Sequence, residues 1–320
     1  MLKKWWKLLF VCIALLVLAV GCGKESAKQD VPASKGAKPA ISIGLMPDTD
    51  SVPFIVAREK GYFADEGVEV TLHPFKSAMD RDAALQSGQI DGAVSDLLAA
   101  AFAKAGGFDV RVTSLTDGAY QMIAGKGSKA ADVRALAGAE IAVSRNTIIE
   151  YVTDRILKEN GMASDALQKV SIPQIPARLE MLQNGKLSAA TLPEPMASVA
   201  VANGCKFLTG SGELNINPGV ILFSAKATAD KKESLKAMYR AYNKAVDYLK
   251  KTPREEYIGM IVEKSGFPAA AKDVLKLPDY RTAVLPKESD VTEVMRWLKE
   301  KDLIKQEYTY QNLVTGDYLP

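Results

Sequence analysis

A rhythm constrains this chain more than any single motif. From Ile41 onward, short β-rich runs alternate with stretches of helical periodicity, and midway the alternation begins afresh. Residues 41–45 read as a strand, 47–53 as a loop and 54–66 as a helix. Further strands are expected at 68–75, 90–94 and 110–115, with helices over 79–86 and 96–104 between them. Neighbouring parallel strands need a crossover of a dozen or more residues, usually a helix. Repeated βα units therefore predict an α/β fold, a mostly parallel sheet flanked by helices. After 120–124 a second series begins, with strands at 140–143, 170–172, 189–192, 206–209 and 219–224 and helices at 147–160, 178–183 and 196–202. From 229 to about 301 the chain reads as almost wholly helical. The pattern predicts two lobes, one inserted into the other: residues 40–122 with 222–320, and residues 123–221. Crossings near 120–124 and 220–224 would form the hinge. A length of 320 residues suits two units of ordinary domain size.

The first 22 residues follow other rules. Lys3, Lys4 and Lys7 precede an apolar run over 8–18, and Ala19-Val20-Gly21-Cys22 closes it. A positive start, a short apolar segment and small residues before a cut make a secretory signal peptide, here 1–21. The run falls short of the roughly 20 apolar residues needed to span a bilayer. The ending Leu18-Ala-Val-Gly-Cys22 resembles a bacterial lipobox, which implies a lipid on Cys22. Residues 22–39 are polar, small and aperiodic, so they are expected to be a flexible tether. The signal also explains the charge. The chain holds 41 Lys and Arg against 38 Asp and Glu, and the three lysines of the signal make up the difference. The cut chain is neutral and lacks the field that gathers a phosphate backbone, so no nucleic-acid partner is expected.

Catalytic and metal chemistry find little footing. The sequence has no Gly-x-Gly-x-x-Gly, no P-loop and no Gly-x-Ser-x-Gly elbow. With Cys12 removed and Cys22 lipidated, Cys205 stands alone, and the single histidine, His73, has no partner for a Cys/His zinc site. No catalytic residue, cofactor or metal is expected. The polar residues at the strand ends are more informative, because open α/β sheets bind ligands beyond the carboxyl ends of their strands. Those loops hold Asp48, Asp50 and Ser51, then Ser77, Ser95 and Asp96, then Arg145, Asn146, Thr147 and Glu194. Singly, such residues are also good helix N-caps. Jointly, at the same edge of both sheets, they predict a ligand cleft between the lobes, with helix N-termini offering donors. Tyr120, Phe54 and Tyr151 are the candidates for stacking on a ligand.

Three stretches resemble a known family. Pro53-Phe-Ile-Val-Ala-Arg-Glu-Lys-Gly-Tyr-Phe-Ala-Asp-Glu-Gly-Val-Glu-Val70 is similar to the signature of solute-binding proteins of the nitrate/sulfonate/taurine and thiamine-pyrimidine-precursor group. Ala84-Leu-Gln-Ser-Gly-Gln-Ile-Asp-Gly-Ala93 resembles that group's second signature. Leu182-Gln-Asn-Gly-Lys-Leu-Ser-Ala-Ala190, with Pro193-Glu-Pro195, resembles its counterpart in the other lobe. The resemblance implies a two-lobe periplasmic-binding-protein fold of type II. It implies a binding protein that closes on a small-molecule ligand for an ABC permease and its ATPase; with the lipid on Cys22 read from the signal, an extracytoplasmic monomer anchored to the bacterial membrane is expected. Pyrimidine synthases of the same family carry Lys and His in the segment matching 95–99 and a cysteine run matching about 217–223. This chain has Ser95, Ala99 and no cysteine there, so no enzyme is expected. The loop Pro47-Asp-Thr-Asp-Ser51 resembles the Pro-Asn-Thr-Asn-His loop of pyrimidine-precursor binders, with Asp48, Asp50 and Ser51 substituted. Those aspartates, with Ser95, Asp96 and Glu194, would suit a pyrimidine-type N-heterocycle or amine-bearing ligand. Asn146 and Thr147 would serve from the second lobe. The alternatives are a sulfonate or other organic anion held by Arg145, and a ligand sensor that does not transport.

Overall fold

The computed structural model describes residues 38–320. The expected signal peptide, the lipid-bearing Cys22 and nearly all of the tether lie outside the described residues. Ten strands follow in chain order: β1 (Ile41–Leu45), β2 (Val70–Pro74), β3 (Gly92–Asp96), β4 (Val110–Leu115), β5 (Tyr120–Ala124), β6 (Glu140–Val143), β7 (Gln168–Ser171), β8 (Ala189–Pro193), β9 (Lys206–Gly210) and β10 (Gly219–Ser224). They form two five-stranded sheets, ordered β2-β1-β3-β10-β4 and β7-β6-β8-β5-β9. In the first, β1 pairs in parallel with β2 and β3, while β10 runs antiparallel between β3 and β4. In the second, β6 pairs in parallel with β7 and β8, while β5 runs antiparallel between β8 and β9. Four strands of each sheet share a direction, and both sheets are flanked by helices, as the alternation predicts.

The single reversed strand in each sheet has a common cause. The chain leaves the first sheet at the carboxyl end of β4 and enters the second as β5; it leaves β9 at its carboxyl end and returns as β10. A strand arriving from the facing edge of the other lobe must run away from that edge, against its neighbours. The crossings are therefore the connections 116–119 and 211–218. The divisions expected at 122/123 and 221/222 fall inside β5 and β10, and each of these strands is hydrogen-bonded along its length into one sheet only.

Other differences have local reasons. The helix expected over 54–66 is two, Val52–Glu59 and Tyr62–Asp65, parted at Gly61, whose φ of 75° lies in the left-handed region that favours glycine. The third strand begins two residues later than expected, so that Asp96 ends it and caps the next helix. The C-terminal third is interrupted between Val274 and Glu288, where Pro278 and Pro286 withhold backbone donors.

The long amphipathic helix Lys232–Lys251 buries Leu235, Met238, Tyr239, Tyr242, Val246 and Leu249 at three- and four-residue spacing. Its Tyr242 ring meets Phe54 edge to face at 5.3 Å. Helix Glu288–Glu300 lies on Leu97–Ala105 of the first lobe, and its side chains meet those of Ile148–Glu159 of the second, Trp297 standing edge to face on Tyr151. Trp297 Nε1 donates to Asp154 (3.0 Å), Lys301 pairs with Asp154 (2.6 Å) and Arg155 pairs with Glu293 (2.9 Å). The C-terminal segment thus ties the lobes together on one flank.

Gly92 of β3 lies directly opposite Phe223 of β10. A Cβ at residue 92 would overlap the Phe223 ring and stand 2.6 Å from the Leu222 carbonyl oxygen. The carbonyl belongs to the ladder and cannot swing aside. Gly92→Ala should therefore lower the urea midpoint by the equivalent of about 1–3 kcal/mol, the usual cost of overpacking. An unchanged midpoint would show that the two strands can separate freely.

Candidate functional site

The carboxyl ends of β1, β3, β6 and β8 face one another across the lobes. Beyond β1 the chain folds into a buried loop and a short 3-10 turn, Thr49–Ser51. Ser51 shapes it: its Oγ donates to the Met46 carbonyl (2.8 Å) and accepts from the Met46 amide (3.1 Å). Asp50 is tied just as firmly, accepting from the Tyr120 hydroxyl (2.6 Å) and from the Gly118 amide. A Cβ on Gly118 would collide with that carboxylate, so the close approach requires glycine. Asp48 is held by Ser51. Its Oδ1 lies 3.3 Å from Ser51 Oγ, and the Ser51 amide also bonds the carboxylate.

Helix Ala78–Gln86 contributes Arg81, whose buried guanidinium donates to Asp82 (2.8 Å) and to the Val94 carbonyl (3.3 Å) and lies 3.9 Å from Asp96. Asp96 caps helix Leu97–Ala105, accepting from the Ala99 amide at 2.8 Å. The Ile148 amide of the second lobe also bonds it, so this carboxylate sits between two helix N-termini. Ser95 Oγ, beside it, is buried without a partner.

From the second lobe, Thr147 caps helix Ile148–Glu159 through the Ile149 amide (3.2 Å). Helix Ile175–Gln183 contributes Arg178, the most consequential side chain of the site. It has no exposed surface. Its Nη1 donates to the carbonyls of Ile172 (2.8 Å) and Pro173 (3.1 Å), while Nε and Nη2 have no partner. Burial, with no acid opposing it, brings its pKa down to about 9. A charge held this way is costly unless something pairs with it.

Asp48, Asp50, Arg81, Ser95, Thr147 and Arg178 all face one cavity between the lobes, with Asp96 and Tyr120 also in its wall. Two backbone bonds close the lobes around it, Thr49 N to Glu194 O (3.0 Å) and Ile175 N to Lys76 O (3.1 Å). The space is about 30 Å³, against roughly 10–15 Å³ needed for one water. A ligand of more than a few heavy atoms therefore enters only if the lobes part.

Other expected site residues stand elsewhere. Ser51 pins the loop from behind, and Ser77 caps helix Ala78–Gln86 through the Asp80 amide (3.2 Å). Arg145, expected to hold an anion, is half exposed and donates to the Lys169 carbonyl (2.9 Å), outside the cavity. Asn146 adopts a left-handed φ of 58° and gives its amide to Glu150 (2.8 Å). Glu194 accepts from Gln121 (2.6 Å) and Ser198 (3.0 Å) and faces an adjoining surface groove. The candidates for stacking divide likewise: Phe54 and Tyr151 are core residues, and only Tyr120 reaches the cavity. Cys205 is a buried free thiol, and His73 lies in β2 opposite Gly44.

Arg81 and Arg178 were not among the expected site residues, yet the sequence carries their signal. Ala78, Arg81, Ala84 and Leu85 form the buried face of one helix, and Ile175, Arg178, Leu179 and Leu182 that of another. A basic residue set in an apolar i, i+3, i+4, i+7 frame is buried with its charge.

Fold and cleft together define a periplasmic-binding-protein fold. The alkanesulfonate-binding protein SsuA from Xanthomonas axonopodis pv. citri, bound to MOPS, shares it with a TM-score of 0.76 at 18% identity, over 87% of this chain and 99% of that one. The periplasmic nitrate-binding protein NrtA from Synechocystis PCC 6803 does so with a TM-score of 0.71 at 14% identity, over 87% and 86%. The Candida albicans CA3427 gene product, described as exhibiting the generic periplasmic binding protein fold, has a TM-score of 0.70 at 15% identity, over 87% and 96%. No curated protein matches the sequence. The NMT1-like family matches residues 34–262, and the chain belongs to that family. This bears out the resemblance carried by 53–70, 84–93 and 182–195.

Burial raises Asp48 well above the ordinary carboxyl range, the charge of Asp50 adds to this, and Arg81 only partly offsets it. Asp50 is raised by burial too, less so because Tyr120 and Gly118 donate to it. The folded protein therefore holds these protons more tightly than the unfolded chain. That contribution to stability is full below the unfolded pKa and fades as pH rises through the raised folded value. Asp48→Asn removes a buried charge and should raise the melting midpoint of the ligand-free protein at pH 7. The gain should shrink near pH 4, where the carboxyl is already largely neutral. A gain equal at both pH values would contradict the assigned shift.

Proposed function

We propose that this chain is the extracytoplasmic solute-binding component of an ABC importer and that it captures a small organic solute bearing an acid group. One observation carries the reading: a wholly buried guanidinium, Arg178, with two unpartnered nitrogens on the wall of the interlobe cavity. A carboxylate or sulfonate is the natural partner for such a planar donor pair. The anion-holding role first given to Arg145 passes to Arg178. The fold shared with a sulfonate-binding and a nitrate-binding protein supports the reading, as does membership of the NMT1-like family. Hinge movement at 116–119 and 211–218 would open the cleft, and solute would favour the closed form by differential contact with both lobes. The lipobox-like ending at Cys22 supports anchoring to the outer face of the membrane, where a permease and its ATPase would receive the solute.

Acid-bearing solutes should stabilise the protein: at 100 times its dissociation constant a ligand adds about 2.7 kcal/mol. Arg178→Met should abolish that shift while the ligand-free variant keeps a cooperative melt. Stabilisation by acids that survives in Arg178→Met would overturn the assignment. For the anchor, mass spectrometry of protein from native membranes should show a diacylated N-terminal Cys22. A cut elsewhere would remove it.

A further inference from the structure

We infer that the contact of Lys301 and Trp297 with Asp154 is a clasp between the lobes, and that these residues, on the outer flank and away from the solute cavity, decide how readily the cleft opens. The clasp follows from the two-lobe fold, whatever solute the cleft holds.

Asp154 stands on helix Ile148–Glu159 of the second lobe and is buried. Its two oxygens are divided between the lobes. Oδ1 takes Lys169 of its own lobe. Oδ2 takes Lys301 Nζ at 2.6 Å and Trp297 Nε1 at 3.0 Å, both from the first lobe. The Trp297 ring stands edge to face on Tyr151 at 5.6 Å, and Lys301 Nζ lies 4.9 Å from the centre of that tryptophan ring. Among the described residues Oδ2 has no partner in its own lobe, and Lys301 has no acidic partner besides Asp154 and Glu150, both across the cleft. Parting the lobes on this flank leaves these charges to water alone and exposes the indole. The neighbouring pair, Arg155 with Glu293 at 2.9 Å, differs. Once apart, Arg155 keeps Glu159 and Glu293 keeps Arg296, each on its own helix, so its loss costs little.

The lobes also meet on the other side of their sheets, but there through apolar groups. Helix Ala271–Val274 of the first lobe packs on Met196–Ala202 of the second, in a cluster that includes Val199, Phe267 and Leu275. Salt does not weaken such a contact, whereas it screens charges that it can reach. A surface cleft of about 360 Å³ opens beside the clasp, with Asp154, Arg155, Glu293, Trp297 and Lys301 in its walls, and admits ions to it. Ionic strength therefore acts on one flank and not on the other.

The test uses the full-length protein, solubilised from membranes and dialysed exhaustively. Spin labels at Gln86→Cys and Asn184→Cys read the opening. Both positions are exposed, and the helices that end there meet by their N-terminal ends across the cleft, at Lys76 and Ile175. The buried Cys205 is out of reach of the label. Trp297 is the one tryptophan outside the expected signal peptide, so its emission reports the flank. Lys301→Met should raise the ratio of long to short label distances about tenfold and shift the emission to the red. The Lys301 side chain is a quarter exposed, so its loss leaves the cores intact, which circular dichroism checks. Trp297→Phe, which loses the indole donor, is a second opening variant, read by distance alone. Glu293→Gln should change the ratio less than about twofold. Raising NaCl from about 20 mM to about 1 M, where the Debye length falls to about 3 Å, should open the unsubstituted protein and leave Lys301→Met where it was. Distances unmoved by Lys301→Met or by salt overturn the clasp, and so does a red shift without a change in distance. An equal response from Glu293→Gln overturns the assignment to Asp154. Acid-bearing solutes that fail to bind would overturn the solute reading and leave the clasp standing.

Discussion

The structure depends on the double exchange of strands between its two sheets. β5 and β10 each arrive from the other lobe, and each lies inside a sheet rather than at its edge. Neither lobe can complete its hydrogen-bonded ladder without chain delivered by the other. The same exchange aims the carboxyl ends of both sets of parallel strands at one cleft. Every candidate ligand residue owes its position to this arrangement: Asp48 follows β1, Ser95 and Asp96 end β3, and Arg178 stands on the helix before β8.

Closure is secured at three levels. Backbone bonds join Thr49 to Glu194 and Ile175 to Lys76, the Asp96 carboxylate spans two facing helix N-termini, and the flank is held by Asp154, Lys301 and Trp297. None of these needs a ligand, so the closed form is within reach of the ligand-free chain. What closure does cost is the burial of Arg178 with two idle nitrogens and of Asp48 beside Asp50. Burial depresses the pKa of one and raises that of the other, each shifting toward neutrality. A ligand that pairs with Arg178 removes part of that cost, which is how binding and closure become linked.

Some buried polar residues serve the backbone and others face the cavity. Ser51, Ser77 and Glu194 cap or pin local structure, and Thr147 and Asp96 cap helices while also lining the cleft. Capping and ligand contact are compatible, because a helix N-terminus aimed at a cleft places its cap residue at the wall.

The alternation of strand and helix, the restart and the three family-like stretches were enough to establish two α/β lobes, because period and loop chemistry are local properties. They also put Asp48, Asp50, Ser95, Asp96 and Thr147 in the strand-end loops whose residues line the cavity. Which polar residues would turn inward was beyond them. The apolar helix frame around Arg178 marks it as buried, but only packing decides that its idle nitrogens stand on the cleft wall while Arg145 meets solvent. The lobe divisions likewise moved out of β5 and β10 to 116–119 and 211–218, because each of those strands pairs along its whole length within the sheet it enters. Local sequence determined the elements. The tertiary structure decided which charges were left without partners, because pairing depends on residues more than a hundred positions apart brought face to face across the cleft.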